Sequence, residues 1–175
     1  MKAIIAGSRT FDDYPFLRHT VDIIREEIDI TEIVSGHAEG ADQLGELYAH
    51  EHKIPVKIFP AEWNKFATMN REEALAYAEQ NHIPRTMFPL DWDDYTYIRK
   101  RNLAGLARNM EMAYHADALI AFDMGTTGTG HMINQMFNLD KIVYIKNVGH
   151  PIYQAQSRGR MVQRTFRDIM ENREY

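Results

Sequence analysis

The chain has 175 residues, of which 45% are hydrophobic and 26% charged, and it contains no cysteine. This composition is typical of one globular domain of ordinary size, and the missing thiols exclude disulfides and cysteine nucleophiles. The formal net charge of −5 argues against a general polyanion-binding surface. Because no apolar run is long enough for a signal peptide or a membrane span, we expect a cytoplasmic protein.

Strand and helix patterns alternate along the chain. Short apolar runs predict strands, and apolar residues at helical spacing predict the helices between them. Strands connected by crossover helices are the signature of a parallel sheet covered on both faces. The sequence therefore predicts an α/β fold, a Rossmann-like doubly wound parallel sheet of about five strands, with an inserted segment and a C-terminal helix. In chain order the predicted strands are 2–7, 31–36, 54–60, 118–122 and 141–146, and the predicted helices are 14–28, 41–52, 70–81 and 131–139.

Two segments interrupt this alternation. The segment 67–103 is too long for a single crossover connection. We interpret it as an insertion within a single domain that spans residues 1–149, and we expect it to form a lid over the cleft. The basic cluster 99–101 within it is expected to lie on a solvated face. Residues 150–175 predict one amphipathic tail helix. Its apolar side favours a homo-oligomer.

In an open parallel sheet, ligands gather beyond the carboxyl ends of the strands. Glycine-rich turns follow the first, second and fourth predicted strands, which read "GSR", "SGHAEGAD" and "DMGTTGTG". The last is the best candidate for a phosphate site, because it opens a helix whose first N–H groups are unpaired and electropositive. A ligand-free turn capped by threonine is the alternative. The sequence "DMGTTGTG" matches neither a Walker loop nor a dinucleotide-binding fingerprint.

Charged residues accompany these turns. Arg9 and Arg108 suit a phosphate or carboxylate. Asp42 and Glu46 share a helix face, so they either perform acid/base chemistry or lie on a solvated face. Histidines, including His37, form no metal-binding spacing, and nothing in the sequence indicates a cofactor. The candidate ligand-binding residues are Gly7, Ser8, Arg9, Gly36, His37, Gly40, Asp42, Arg108, Asn109, Gly125, Thr126, Thr127, Gly128 and Thr129.

Taken in order, these motifs resemble a known superfamily. The segments "IIAGSRTFDDY", "IVSGHAEGADQLGELYA", "IPVKIFPAEW", "AGLARNMEMAYHADALIAF" and "GTTGTGHMI" are similar to YspA-like proteins of the SLOG superfamily, which joins the Smf/DNA-processing proteins to the Lonely Guy enzymes. The resemblance covers nearly all of residues 1–66 and 104–146. It implies a Rossmann-like domain that binds a nucleotide or a nucleotide-derived ligand.

The Lonely Guy pattern is kept only in part. Its Arg-Lys-x-x-Met reads "RNMEM" here, so Arg108 and Met112 match and Asn109 replaces the lysine. Its glycine loop reads "MGTTGTGHM", with Met132 in place of the family's catalytic glutamate. A thioether carries no charge and cannot stabilise the cation-like sugar formed when an N-glycosidic bond breaks. The resemblance therefore implies a phosphate cradle without the family's acid.

Three hypotheses remain open from the sequence. The favoured one is a protein that binds a nucleotide derivative without turning it over. The second is an N-glycosidic hydrolase or transferase acting on nucleoside monophosphates, with Asp42, Glu46 or Asp123 as the carboxylate and Arg108 as a further catalytic candidate. The third is binding of single-stranded nucleic acid, which the net acidity disfavours. Side chains expected to recognise a base are His37, Glu39, Trp63 and Trp92.

Overall fold

The computed structural model describes residues 1–148 and shows a five-stranded, wholly parallel sheet. The strand order is β3-β2-β1-β4-β5, with β1 at the centre. This order places two strands on each side of β1, and the direction of the crossovers reverses between β3 and β4, so the doubly wound Rossmann-like prediction is confirmed. The strands are β1 (Lys2–Gly7), β2 (Glu32–Ser35), β3 (Val56–Ile58), β4 (Ala118–Asp123) and β5 (Ile142–Asn147).

Helices connect every pair of successive strands. Local signals start several of them: the Asp13 carboxylate accepts from the N–H of Phe16 at 3.0 Å, and Asn70 and Glu73 form a capping box. Two single 3-10 turns lie between the fourth and fifth helices. The α-helices are α1 (Tyr14–Arg25), α2 (Ala41–Glu51), α3 (Lys65–Thr68), α4 (Arg71–Gln80), α5 (Tyr97–His115) and α6 (Thr127–Asn138).

The core has two layers because side chains of a strand alternate between the faces of the sheet. In β1, Ala3 and Ile5 pack with α1 and α2, whereas Ile4 and Ala6 pack with α5 and α6. All four are buried, as expected for a strand in the middle of a covered parallel sheet. This central position brings the carboxyl end of β1 between those of β2 and β4.

The predicted insertion builds a third hydrophobic cluster. Phe66, Phe88 and Trp92 pack there against Ala104 and Ala107 of α5. The segment therefore buttresses α5 from the side opposite the sheet. Its assignment as an insertion within one domain stays a prediction, and the predicted tail helix lies outside the described residues.

The basic cluster 99–101 is not uniformly solvated, so that prediction was wrong for one member. Lys100 is buried, and its Nζ donates to the carbonyl of Met69 at 3.3 Å and lies 5.1 Å from the Trp92 ring centre. The apolar stem of lysine allows this burial, and the carbonyl receives its charged end. Within residues 1–148, no helix is both long and apolar enough to cross a membrane.

Candidate functional site

A cleft with two lobes lies beyond the carboxyl ends of β1, β2 and β4. These strands are neighbours in the sheet, and the crossovers change direction at β1, which is where ligands bind in such folds. The inner lobe has a volume of about 530 Å³ and the outer lobe about 610 Å³. Both are large enough for a small-molecule ligand. Arg9, Ala38, Trp63, Asn102 and Arg108 line both lobes.

The glycine loop after β4 borders the inner lobe. Asp123 shapes its start by accepting from the N–H of Gly125 at 2.9 Å, with Gly125 at φ 77°. Thr126 caps α6, and its hydroxyl lies 2.8 Å from that of Thr129. A Cβ built on Gly128 would have no atom within 4 Å. The loop is therefore held by its own polar groups and open above the first turn of α6.

Two consecutive residues of α5 tie this loop to the turn after β2. The Asn109 amide donates to the carbonyl of Gly128 at 3.2 Å, and Nη1 of Arg108 donates to the carbonyl of Gly36 at 2.7 Å. The Nε of Arg108 is buried and has no hydrogen-bond partner among residues 1–148. Arg108 therefore has one N–H group that the described residues leave unpaired.

Asp42 brings a carboxyl group into the inner lobe. It is only 6% exposed, and its Oδ2 accepts from the N–H of Ala38 at 3.3 Å. Burial raises the pKa of Asp42 to about 6, although the positive charge of Arg108 and the backbone hydrogen bonds oppose the rise. Asp42 can thus gain or lose a proton near neutral pH.

Positive charge dominates the boundary between the lobes. Burial and the nearby charge of Arg9 lower the pKa of Arg108, and the charge of Asp42 opposes that change. A guanidinium stays protonated under these conditions. An anion bound between Arg9 and Arg108 would relieve their mutual repulsion.

The outer lobe is slightly larger than the inner lobe and less apolar, since it is lined by more charged side chains. Trp63, which follows β3, rests on α5 where Gly105 leaves room: a Cβ on Gly105 would lie 3.3 Å from the ring. The guanidinium of Arg9 lies 6.0 Å from the Trp63 ring centre. Ile98, Pro60 and the turn after β2 complete this lobe.

The structure brings most of the predicted site residues to the cleft. Gly36 and His37 line the outer lobe. The predicted residues that line the inner lobe are Gly7, Ser8, Arg9, Asp42, Arg108, Asn109, Thr126, Thr127, Gly128 and Thr129.

Three predicted residues line neither lobe. Gly40, at φ 79°, packs so tightly that a Cβ would lie 2.3 Å from the carbonyl oxygen of Ser8. Gly125 supplies the turn that starts the loop. Glu46 accepts from the Ser35 hydroxyl at 2.5 Å. The first two therefore shape the backbone, and the last is held by neighbouring side chains.

Two further expectations are corrected. Trp92 is fully buried, and its indole N–H donates to the carbonyl of Met69 at 3.1 Å, so it recognises no base. Residues 67–97 of the predicted lid line neither lobe and support α5, whereas Ile98, Arg101 and Asn102 at its end line the cleft as part of α5. Trp63 and Glu39 do lie in the cleft as expected.

The sequence interpretation did not predict that one face of α5 lines the cleft. Helical spacing could have found it, because positions three and four residues before Arg108 and Asn109 share their face of the helix. Met132 is 2% exposed and lines the inner lobe, so a thioether borders the lobe where the Lonely Guy pattern has glutamate. In the described part of the chain no three or more His, Asp or Glu residues could together hold a metal ion. The missed lining residues of α5 are Ile98, Arg101, Asn102, Gly105 and Leu106.

Comparisons with known proteins agree with this fold. The chain is similar in structure to DNA processing protein A (DprA) from Streptococcus pneumoniae, with a TM-score of 0.51 and 16% sequence identity. The match covers 82% of this chain and 49% of the DprA chain, so the protein spans about half the length of that neighbour. No curated protein has a significant sequence match.

A family model matches the N-terminal part of the sequence. It is described as YspA, cpYpsA-related SLOG family, and the match spans residues 1–66. This range contains β1, β2, β3 and the first two glycine turns. The motifs of residues 104–146 lie outside it. Residues 1–66 thus match the family that the motifs predicted, the YspA, cpYpsA-related SLOG family.

Proposed function

We propose that the cleft binds a nucleotide or a nucleotide-derived small molecule, with its phosphate on the loop of residues 125–130. The observation that carries the proposal is the first turn of α6, where Thr127 and Gly128 line the inner lobe and the space beside Gly128 is open. The N–H groups of a first helical turn have no partner within the helix, and the helix dipole favours an anion there.

The rest of the cleft supports a nucleotide over a bare anion. Arg9 and Arg108 supply positive charge beside the loop, while Leu106, Met112 and Trp63 offer apolar surface for a sugar or a base. The family match and the structural likeness to a DNA processing protein support a function related to nucleotides or nucleic acids. The acidic net charge favours the small molecule.

Calorimetric titration of the full chain with AMP tests the proposal. We expect saturable binding, and we expect Arg108→Lys to lower the affinity about tenfold or more, because an ammonium lacks the fork of donors that reaches both Gly36 and the ligand. Arg18→Lys is the matched control, since Arg18 lies on the exposed side of α1. Absence of AMP binding, or equal binding by the Arg108 variant, would contradict the proposal.

A second candidate function rests on Asp42 alone. A carboxyl with a pKa of about 6 in the inner lobe suits acid/base chemistry at an N-glycosidic bond. Chromatography of nucleoside monophosphates incubated with the protein would reveal free base. Release that disappears in Asp42→Asn would favour this candidate, and no release above the buffer rate would exclude it.

A further inference from the structure

The turn after β2 contains a hydrogen-bonded chain of three side chains that phosphate binding does not use. The Ser35 hydroxyl, fully buried at the end of β2, donates to Oε1 of Glu46 at 2.5 Å. The same hydroxyl accepts from the backbone N–H of His37 at 3.0 Å. Nδ1 of His37 lies 3.0 Å from each carboxylate oxygen of Glu46. Ser35 thereby fixes Glu46, and Glu46 fixes the imidazole.

The hydrogen bond to the Glu46 carboxylate determines which ring nitrogen of His37 keeps a free lone pair. Because Glu46 only accepts hydrogen bonds, Nδ1 carries the proton and Nε2 of the neutral ring keeps its lone pair. Nε2 has no hydrogen-bond partner within residues 1–148. The His37 side chain is 57% exposed and lines the outer lobe. An oriented imidazole with a free Nε2 in a cleft has the arrangement of a general base.

The backbone at His37 is left-handed, with φ 55°. Lys53, His82 and Asp140 share this conformation, which histidine adopts more readily than most residues that carry a Cβ. A variant at position 37 must therefore tolerate a positive φ.

Three arginines line the same cleft as His37. Arg9 and Arg108 line both lobes, and Arg101 lines the outer lobe with His37. Guanidinium groups stabilise negative charge that develops on phosphoryl oxygens. Glu39 is the acidic residue of this lobe. The outer lobe thus combines a base with the charges that a reacting phosphorus needs.

We propose that His37, oriented by Glu46, is the general base of a hydrolase that cleaves a phosphoanhydride bond of the bound nucleotide. The inference rests on the proposed function, which holds one phosphate on the loop of residues 125–130 and leaves the next phosphorus to extend toward the outer lobe. This reaction needs no carboxylate at position 132, since no sugar cation forms.

The step balances with water as the only co-reactant. Water attacks the outer phosphorus and forms a new P–O bond, while Nε2 of His37 takes the water proton. The bond from that phosphorus to the bridging oxygen breaks, and its electron pair stays with the nucleoside monophosphate. The imidazolium then returns the proton to the leaving phosphate oxygen. With ADP, the products are AMP and inorganic phosphate.

ADP is the probe, and release of inorganic phosphate from the full chain is the readout. We expect His37→Asn to lower kcat about 100-fold or more with little change in KM, because asparagine tolerates the positive φ and can donate to Glu46 but has no Nε2. His37→Gly, which also tolerates the turn, should be inactive until free imidazole restores phosphate release.

Glu46 is a positioning residue, so its effect must pass through His37. Glu46→Gln should lower kcat about tenfold in the wild-type background and have no effect in the His37→Asn background. Equal losses in both backgrounds would assign Glu46 to the fold alone.

The two proposals fail in different ways. If the wild-type protein binds AMP but releases no phosphate from ADP, or releases it equally well as His37→Asn, the hydrolase inference is overturned and nucleotide binding stands. If phosphate release depends on His37 but AMP does not bind, nucleotide binding at the loop is overturned. Failure of imidazole to restore His37→Gly would also overturn the role of His37 as a base.

Discussion

The glycine-rich turns after β2 and β4 look alike in sequence but are packed in opposite ways. In the turn after β2, a Cβ on Gly36 would lie 2.6 Å from the guanidinium carbon of Arg108, and one on Gly40 would lie 2.3 Å from the Ser8 carbonyl oxygen. In the loop after β4, a Cβ on Gly125 or Gly128 would meet nothing within 4 Å. Protein atoms occupy the space beside the first turn and leave it open beside the second.

This difference separates two uses of glycine. The first turn needs glycine because other parts of the protein approach its backbone, and it thereby positions Arg108 and Asp42. A Cβ built on Gly128 would meet no atom within 4 Å, so the room on that side of the residue is available to a ligand. A small residue next to empty space at a helix N-terminus is consistent with close approach of an anion.

Gly40→Ala should have the largest effect on folding. The substitution places a Cβ against a backbone oxygen at a residue with φ 79°, and neither atom can move without distorting β1 or α2. We expect the free energy of unfolding to fall by about 4 kcal/mol. Urea denaturation measures it, and a loss below about 1 kcal/mol would show that the turn after β2 is not closed.

The pH dependence of stability should report Asp42, in the first turn of α2. Its pKa rises from 3.8 to about 6 on folding, so the folded state holds the proton more tightly. Stability is therefore greatest below pH 4 and is lost as the pH rises through 6, by about 3 kcal/mol from this group. Urea melts at several pH values should show this loss in the wild type and a flatter profile in Asp42→Asn. Parallel profiles would contradict the burial of the charge.

Gly36→Ala tests the coupling between the closed turn and Arg108. The added methyl group forces the guanidinium to move and breaks its 2.7 Å hydrogen bond to the Gly36 carbonyl. Because the far end of an arginine can shift, we expect a smaller loss of stability than for Gly40→Ala, about 2 kcal/mol. AMP affinity should fall about tenfold. Unchanged affinity would mean that the position of Arg108 does not matter to the ligand.

Gly128→Ala should have the smallest effect on folding, and of opposite sign. Alanine is the better helix former, and the position is open, so stability should rise by about 0.5–1 kcal/mol. Thermal unfolding measures the gain. A destabilised protein would contradict the open loop.

The fold could be predicted from sequence because the apolar periodicity follows the two faces of the sheet. Every predicted strand lies within the described residues and forms, although the third is shorter than expected. Its pattern over 54–60 reduces to Val56–Ile58 between Pro55 and Pro60, since proline lacks the N–H that a ladder requires.

The candidate site was predictable mainly where it follows the strand ends. The glycine turns and Arg9 were found because the carboxyl ends of parallel strands converge. Arg108 lies within α5, and it was found from its charge and from the Arg-Lys-x-x-Met resemblance. The burial of Lys100 and Trp92 depends on how residues 67–97 pack against α5, which local pattern does not determine. The glycines of the two turns also look alike in the sequence, because whether the space beside a glycine is empty depends on the folded structure.

The most direct test of an open anion site is to place a negative charge in it. Gly128→Asp adds a carboxylate in the first turn of α6, where it should stabilise the helix slightly and compete with phosphate. Asn134→Asp adds the same charge at an exposed position on the same helix and serves as the control. In calorimetric titrations with AMP, we predict that Gly128→Asp stays folded and loses binding while Asn134→Asp binds as the wild type does. Undiminished binding by a folded Gly128→Asp protein would contradict the site.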